Sequence, residues 1–304
     1  MTVALGCTSM TPFSYPGNPR RDEMISVLRG ALDGGVTTFD TSEIQGPYTG
    51  EEMLGDAIGD AGAVVTKFGW EIADGTPTGR LNSHPDVIRA SARGSLTRLR
   101  RERLDVFMQH RVDPTVPIED VAGAVKELID DGLVARFGLC EASPETIRRA
   151  NAVCPVSVIQ NEFSLWSRES ASLFPLCEEL DMTFMAYSPL GKGMLTGRAT
   201  ANDDSSSPRL HSENFSANMQ LVDAVKSYAS SIDRTPAQLA LGWILAQRPF
   251  IMPVAGSTNL TRILDNTRTT ALSTSEVARV DDIVAAHPVH GNRYTDKHLS
   301  FVER

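Results

Sequence analysis

Asp40, Lys67 and His110 are the residues of this chain whose types and spacing could do chemistry together. A carboxylate paired with an ammonium can lower the pKa of a neighbouring acid, and an imidazole can donate or accept a proton near neutrality. Each stands at or just beyond the end of a short apolar, β-branched run. Polar residues recur at the same place in other runs: Cys140-Glu141, Gln160-Asn161, Tyr187-Ser188 and Gly256-Ser257. One polar residue after a strand means little, because loops are polar. The same pattern after run upon run implies a common face, and therefore a catalytic or ligand site there.

The runs that must position these residues are predicted strands at Val3–Cys7, Thr37–Asp40, Ala63–Lys67, Asp105–Gln109, Ala135–Leu139, Val156–Gln160, Thr183–Ala186 and Phe250–Val254. Helical patterns separate them. In Ile118–Asp131, Val121, Val125, Leu128 and Ile129 share one face, and Gly132 stands where the helix would end. Thr235-Pro236 reads as N-cap and first turn of a helix over Ala237–Gln247. Strands alternating with helices predict a parallel sheet, and eight of them predict a closed (β/α)8 barrel, an α/β fold of one domain spanning 1–304. In such a barrel the C-terminal strand ends form one mouth, where active sites are built. Arg198–Phe215, polar and Ser-rich, interrupts the rhythm and is long enough to be a lid or an insert.

Composition narrows the functions. A formal charge of −9 disfavours a nucleic-acid or anionic-membrane partner, since either needs a basic face. No run is long and apolar enough for a membrane helix, and MTVALGCTSM is not expected to act as a secretory leader. Cys7, Cys140, Cys154 and Cys177 contain no C-x-x-C pair, so buried thiols in a reducing cytoplasm are expected. The six histidines lack ligand spacing, and no metal site is predicted; His287 and His290 are expected at the surface.

Longer motifs carry a resemblance. FDTSEIQGPYTGEEMLG (39–55), VVTKFG (64–69), DVFMQHRVDP (105–114), FGLCEASPETIRRA (137–150), IQNEFSLWSR (159–168), YSPLGKGMLTGR (187–198), TPAQLALGWILAQ (235–247) and PVAGSTNLTRILDN (253–266) resemble the aldo-keto reductases. The resemblance runs from Leu5 to about Tyr294. It implies NADP-linked reduction of a carbonyl: an Asp–Lys pair beneath a tyrosine that protonates the carbonyl oxygen, a histidine that orients it, and hydride from the nicotinamide. Asp40, Lys67 and His110 match three of the four. The family pattern D-T-A-x-x-Y-G stands here as Asp40-Thr41-Ser42-Glu43-Ile44-Gln45-Gly46, with Gln45 at the tyrosine position. A carboxamide donates hydrogen bonds but has no proton to release at accessible pH. Three consequences stay open. His110, a water or Tyr48 supplies the proton; the barrel runs elimination, isomerisation or cyclisation with His110 and Lys67; or the protein binds nucleotide as a regulatory module.

The resemblance also implies a cofactor site. Tyr187 would stack on the nicotinamide ring, while Gln160 with Cys140 and Glu141 would hold its carboxamide. Ser188, Leu190, Gly191 and Gly193 fall in the matching loop after Tyr187, and residues 198–215 match the loop over the pyrophosphate. Gly256, Ser257 and Thr258 match the adenosine-phosphate turn, Arg262 the arginine that reads the 2′-phosphate of NADP, and Asp265 and Asn266 the pair near adenine. Thr258 stands where a basic residue is usual, so NADP is expected with NAD also possible. No G-x-G-x-x-G follows the first strand, as expected for a barrel rather than a Rossmann fold. Tyr48, Trp70 and Trp166 are the expected substrate-pocket residues.

Overall fold

A computed structural model describes residues 2–11 and 20–303. Its strands are β1 (Ala4–Gly6), β2 (Thr38–Asp40), β3 (Ala63–Phe68), β4 (Trp70–Ala73), β5 (Thr76–Leu81), β6 (Val106–Gln109), β7 (Phe137–Cys140), β8 (Val156–Glu162), β9 (Thr183–Tyr187) and β10 (Ile251–Gly256). All but β4 and β5 pair in parallel and close a barrel in the order β1-β10-β9-β8-β7-β6-β3-β2, with Gly6 beside both Gly256 and Asp40 at the seam. The predicted eight-stranded barrel is therefore the fold, with strand limits moved by one or two residues.

Strand periodicity explains how a barrel of this sequence makes a site. Successive side chains point to opposite faces. Phe39, Phe107, Phe137, Ile159 and Phe184 face outward and pack in the main apolar core beneath the helices. Ala4, Val65, Val106, Met108, Val158, Met185 and Val254 form a separate cluster with Cys140 inside the barrel. Two residues further along each strand, the same inward parity reaches Gly6, Lys67, His110, Gln160, Tyr187 and Gly256. Asp40 shares that parity, because its neighbour Phe39 faces out. The polar residues are thus the layer directly above an apolar plug.

Helices cover the barrel: α1 (Arg21–Asp33), α2 (Thr49–Ile58), α3 (Pro85–Leu99), α4 (Ile118–Asp130), α5 (Pro144–Val153), α6 (Phe174–Glu179), α7 (Ser212–Ser231), α8 (Pro236–Leu245), α9 (Leu260–Thr267), α10 (Thr274–Ala286) and α11 (Asp296–Leu299). In α4, Val121, Val125 and Leu128 are buried as expected, Ile129 is half-buried, and Gly132 follows the helix with φ 77°. Thr235 caps α8 reciprocally with Gln238, and Pro236 opens the helix.

One element is new and one expectation needs correction. Trp70–Leu81 forms an antiparallel hairpin, β4–β5, joined at Asp74-Gly75 with positive φ at both residues. That backbone matches the twist of a two-stranded ribbon, and Asp-Gly adopts it at little cost. The polar segment is also shorter than 198–215. A single 3-10 turn forms at Pro208–Leu210 and α7 starts at Ser212. No helix among the described residues is long and apolar enough to cross a membrane.

Candidate active site

Lys67 is 2% exposed, and its Nζ donates to Asp40 Oδ2 at 2.7 Å and to the Thr41 carbonyl at 2.9 Å. Asp40 Oδ2 also accepts from Gln160 Nε2 at 2.7 Å. An ammonium has three donors, and the third N–H of Lys67 has no partner among the described residues. His110 adjoins the pair. Burial, with the positive charges of Arg111 and Lys67, holds its pKa well below the usual imidazole value, so the ring is neutral at pH 7. Its Nδ1 is buried with no partner. An orphaned acceptor costs less than an orphaned donor, so the proton belongs on Nε2.

Gln45 lies beside these groups and lines the same cavity. Its Nε2 donates to Thr8 Oγ1 at 2.7 Å, and its Oε1 accepts from Thr41 Oγ1 at 3.2 Å. Both hydroxyls hold the carboxamide in one orientation and leave one Nε2–H to spare. The chain turns sharply just after it, at Gly46 (φ 84°), where a Cβ would collide with Thr49 Oγ1. Tyr48 does not fill the position Gln45 occupies. It packs under the Arg98 guanidinium, 4.4 Å from ring centroid to Cζ, and is not part of the cavity lining. Arg98 itself is held by Glu51 at 2.6 Å, so the stack is anchored behind the barrel wall.

The cavity has a volume of about 940 Å³ and runs from this trio to the start of α9. At the near end it is lined by Cys140, Gln160 and Tyr187. Burial raises the Cys140 thiol to about 11, so it is protonated at neutral pH. Ser188, Leu190 and Gly193 continue the wall. At the far end, Gly256, Ser257, Thr258, Arg262, Asp265 and Asn266 surround the N-terminus of α9, which Asn259 caps through Arg262 N at 3.1 Å. Helix N-termini with free amides and hydroxyl neighbours are suited to phosphate. The donor set fits an extended, anionic dinucleotide whose apolar ring would lie against Tyr187.

Several expected residues are turned elsewhere. Glu141 (φ 53°) is buried outside the cavity. Its carboxylate takes both Arg293 Nη atoms at 2.9 Å, the Tyr187 hydroxyl at 2.6 Å and the Glu162 amide at 2.9 Å. Burial opposes its ionisation, but Arg293 and Tyr187 outweigh burial and hold the pKa below the ordinary carboxylate range. Gln160 donates to Asp40 through Nε2 while still lining the cavity. Trp166 is a floor under Gly191, where a Cβ would come within 2.7 Å of the indole, so neither residue faces the cavity. Trp70 lies edge-on to His110 at 6.4 Å and to Phe301 at 4.9 Å, beside the mouth. Of the polar segment, only Arg198 lines the cavity; the rest is tied down through Thr295 N to the Ser206 carbonyl and Arg209 to Ser167 Oγ.

The structure adds residues that sequence reasoning passed over: Thr8, which orients Gln45; Arg111, which follows His110; Lys192; and Thr235 with Ala237 at the start of α8. The last was within reach, because helices that follow barrel strands begin at the mouth. A clamp from the far end of the sequence was not. Besides Arg293, the Tyr294 hydroxyl meets that of Tyr187 at 3.0 Å, and Glu303 accepts from Ser143 N and donates its own amide to the Glu141 carbonyl. No group of His, Cys, Asp and Glu among the described residues could hold a metal ion, and all four cysteines are buried and free.

A profile of the aldo/keto reductase family matches residues 4–285. The chain belongs to the aldo/keto reductase family. A probable aldo-keto reductase 1 of Glycine max is 35% identical over 96% of this chain and 88% of its own length. Among solved family members, a glycerol dehydrogenase from Gluconobacter oxydans is similar with a TM-score of 0.83 and 27% identity, covering 96% of this chain and 94% of its own. An aldo/keto reductase from Klebsiella pneumoniae, solved in complex with NADP and acetate, has a TM-score of 0.73 over 97% of this chain and 94% of its own. At 22% identity that second likeness is one of fold.

Proposed function

We propose that this aldo/keto reductase is an NADP(H)-dependent oxidoreductase of an aldehyde, ketone or conjugated carbonyl, working with a proton relay that has no tyrosine. The observation that carries the reading is continuity: one cavity holds Asp40, Lys67 and His110 at one end and Ser257, Thr258 and Arg262 at the other. The NADP-bound relative from Klebsiella pneumoniae supports the choice of cofactor. NADPH, when bound, supplies hydride to the substrate.

The chain's own residues then have distinct tasks. Tyr187 walls the ring pocket, its hydroxyl fixed by Glu141 and Tyr294 so that the ring cannot swing. Neutral His110 donates from Nε2 to the carbonyl oxygen and orients it. The spare Nε2–H of Gln45 adds a second hydrogen bond. Neither gives up a proton: His110 has none to spare at neutral pH, and a carboxamide never does. Lys67, with one N–H unshared and no phenol between it and the cavity, stabilises negative charge on the oxygen. It delivers the proton directly or through a water it holds, and Asp40 fixes its position. Where hydride goes to the far carbon of a conjugated carbonyl, the same donors stabilise the enolate oxygen.

Arg262 lines the cavity at its α9 end, and its guanidinium favours a 2′-phosphate there. Rapid mixing of NADPH-bound protein with a panel of saturated and conjugated carbonyls tests the reading. Oxidation of bound NADPH is expected with at least one of them, and His110→Ala, which removes a hydrogen bond to the oxygen, should slow it about 10²- to 10³-fold while leaving NADPH affinity intact. Tight NADPH binding with no oxidation by any carbonyl would refute it in favour of non-redox chemistry on the same barrel.

A further inference from the structure

Arg111 is a guanidinium with no carboxylate in ion-pair contact among the described residues; Glu141 acts on it only at longer range. Arg111 is half-buried, lines the cavity and follows His110 directly. Its Nη1 donates to the His110 carbonyl at 2.6 Å and approaches Cys140 Sγ at 3.1 Å. Both partners are neutral, the thiol because it is protonated. Nε and Nη2 have no hydrogen-bond partner among the described residues. Arg98, Arg101, Arg209 and Arg293 are enclosed too, and each has a carboxylate within 4.0 Å: Glu51, Asp105, Glu169 and Glu141. Arg111 has none at that distance.

The carboxylates nearest the mouth are already spent. Asp40 is bonded to Lys67, and Glu141 takes Arg293 with both oxygens. Arg111 therefore brings to the mouth, beside His110, a positive charge with no carboxylate paired to it among the described residues, in a chain whose overall charge is −9. Burial is the main cause of the depressed pKa of His110, and the charge of Arg111 adds to it. A guanidinium is always charged, and enclosing one without a partner is costly unless something else completes it. Its planar fork is suited to a carboxylate, which it can grip through two parallel bonds.

We propose that Arg111 binds the carboxylate of the substrate, so that the molecule reduced is a short oxo acid whose carbonyl lies at His110 and Lys67. This rests on the oxidoreductase reading above and narrows its substrate class. Because Arg111 folds back onto the His110 carbonyl, the anionic group and the reacting carbonyl must be close neighbours in the substrate. Neutral aldehydes would leave the guanidinium unpaired and so bind less well.

The test needs no turnover. Oxamate, a redox-inert mimic of a 2-oxo acid, and oxamide, its uncharged counterpart, are titrated calorimetrically into the NADP-bound protein. The native chain is expected to prefer oxamate at least tenfold. Arg111→Met should lose roughly 10- to 150-fold in oxamate affinity, the range for a hydrogen-bonded charge, with NADPH affinity unchanged. Arg111→Lys should recover part of the loss. Equal binding of oxamate and oxamide by the native chain overturns the assignment, and so does unchanged oxamate affinity in Arg111→Met. A loss confined to NADPH also overturns it and gives Arg111 to the cofactor. NADPH oxidation is scored separately, so oxamate binding without oxidation of any carbonyl would sink the reductase reading alone.

Discussion

Replacing Gln45 by tyrosine places a phenol beside a charged lysine that has an N–H to spare. The cost can be worked from the structure. The carboxamide gives up its bonds to Thr8 and Thr41, each contributing about 0.5–1.5 kcal/mol, for a total of about 1–3 kcal/mol. In a chain of this length that lowers the melting temperature by a few degrees. The added ring volume extends into an existing cavity rather than into the packed core. The gain is a positioned general acid, which contributes about 10²- to 10⁴-fold, or about 3–5 kcal/mol off the barrier at 1.36 kcal/mol per decade. Gln45→Tyr is therefore expected to raise kcat/KM for aldehyde reduction by that factor while melting slightly earlier. Steady-state NADPH oxidation with a common aldehyde panel, beside a thermal melt, measures both. A folded variant with unchanged or lower turnover would refute the reasoning, since it would make the carboxamide itself part of the proton path.

Other consequences can be measured independently. Burial raises Glu43 from an ordinary value of 4.5 to about 7, so the folded state keeps a proton the unfolded chain has lost, and stability falls as pH rises through that window. Glu43→Gln should therefore stabilise the protein by roughly 3 kcal/mol at pH 8 and by almost nothing at pH 4; denaturant melts at both pH values check it, and a pH-independent difference would refute it. Lys67→Met leaves Asp40 enclosed without its cation and should cost about 3–5 kcal/mol, much of it recovered by adding Asp40→Asn; no recovery in the double variant would mean that the loss is one of packing. Arg262→Ala should weaken NADPH binding roughly 10- to 150-fold and leave NADH untouched, as read by cofactor fluorescence. Equal losses for both cofactors would remove Arg262 from the 2′-phosphate.

The barrel was legible because its signal is local. Val65-Thr66-Lys67 or Val106-Phe107-Met108 states its strand and its inward face within three residues, and from parity alone Lys67 and His110 had to meet. The β4–β5 hairpin was legible too, in Asp74-Gly75, but the runs beside it alternate weakly and were passed over. Arg111 is different in kind. Nothing in HRVDP distinguishes a partnered arginine from an unpartnered one, because the carboxylates that could neutralise it lie on other strands and were taken by other cations. Tyr48 failed as a pocket residue for the same reason, since Arg98, its stacking partner, is on another helix.

The clamp on Glu141 has a consequence for how the molecule is made. Its partner Arg293 is 152 residues away in sequence, and Glu303 reaches Ser143 across 160, while the family match ends at 285. Contacts so distant have a large closure entropy and form late. A nascent barrel emerging from the ribosome can complete all eight strands before residue 293 appears, yet it holds Glu141 without its ion-pair partner and Tyr187 with only half its tether. The cavity wall at Tyr187 is therefore set after the scaffold, so that the barrel can be closed while the pocket beside Tyr187 is still loose.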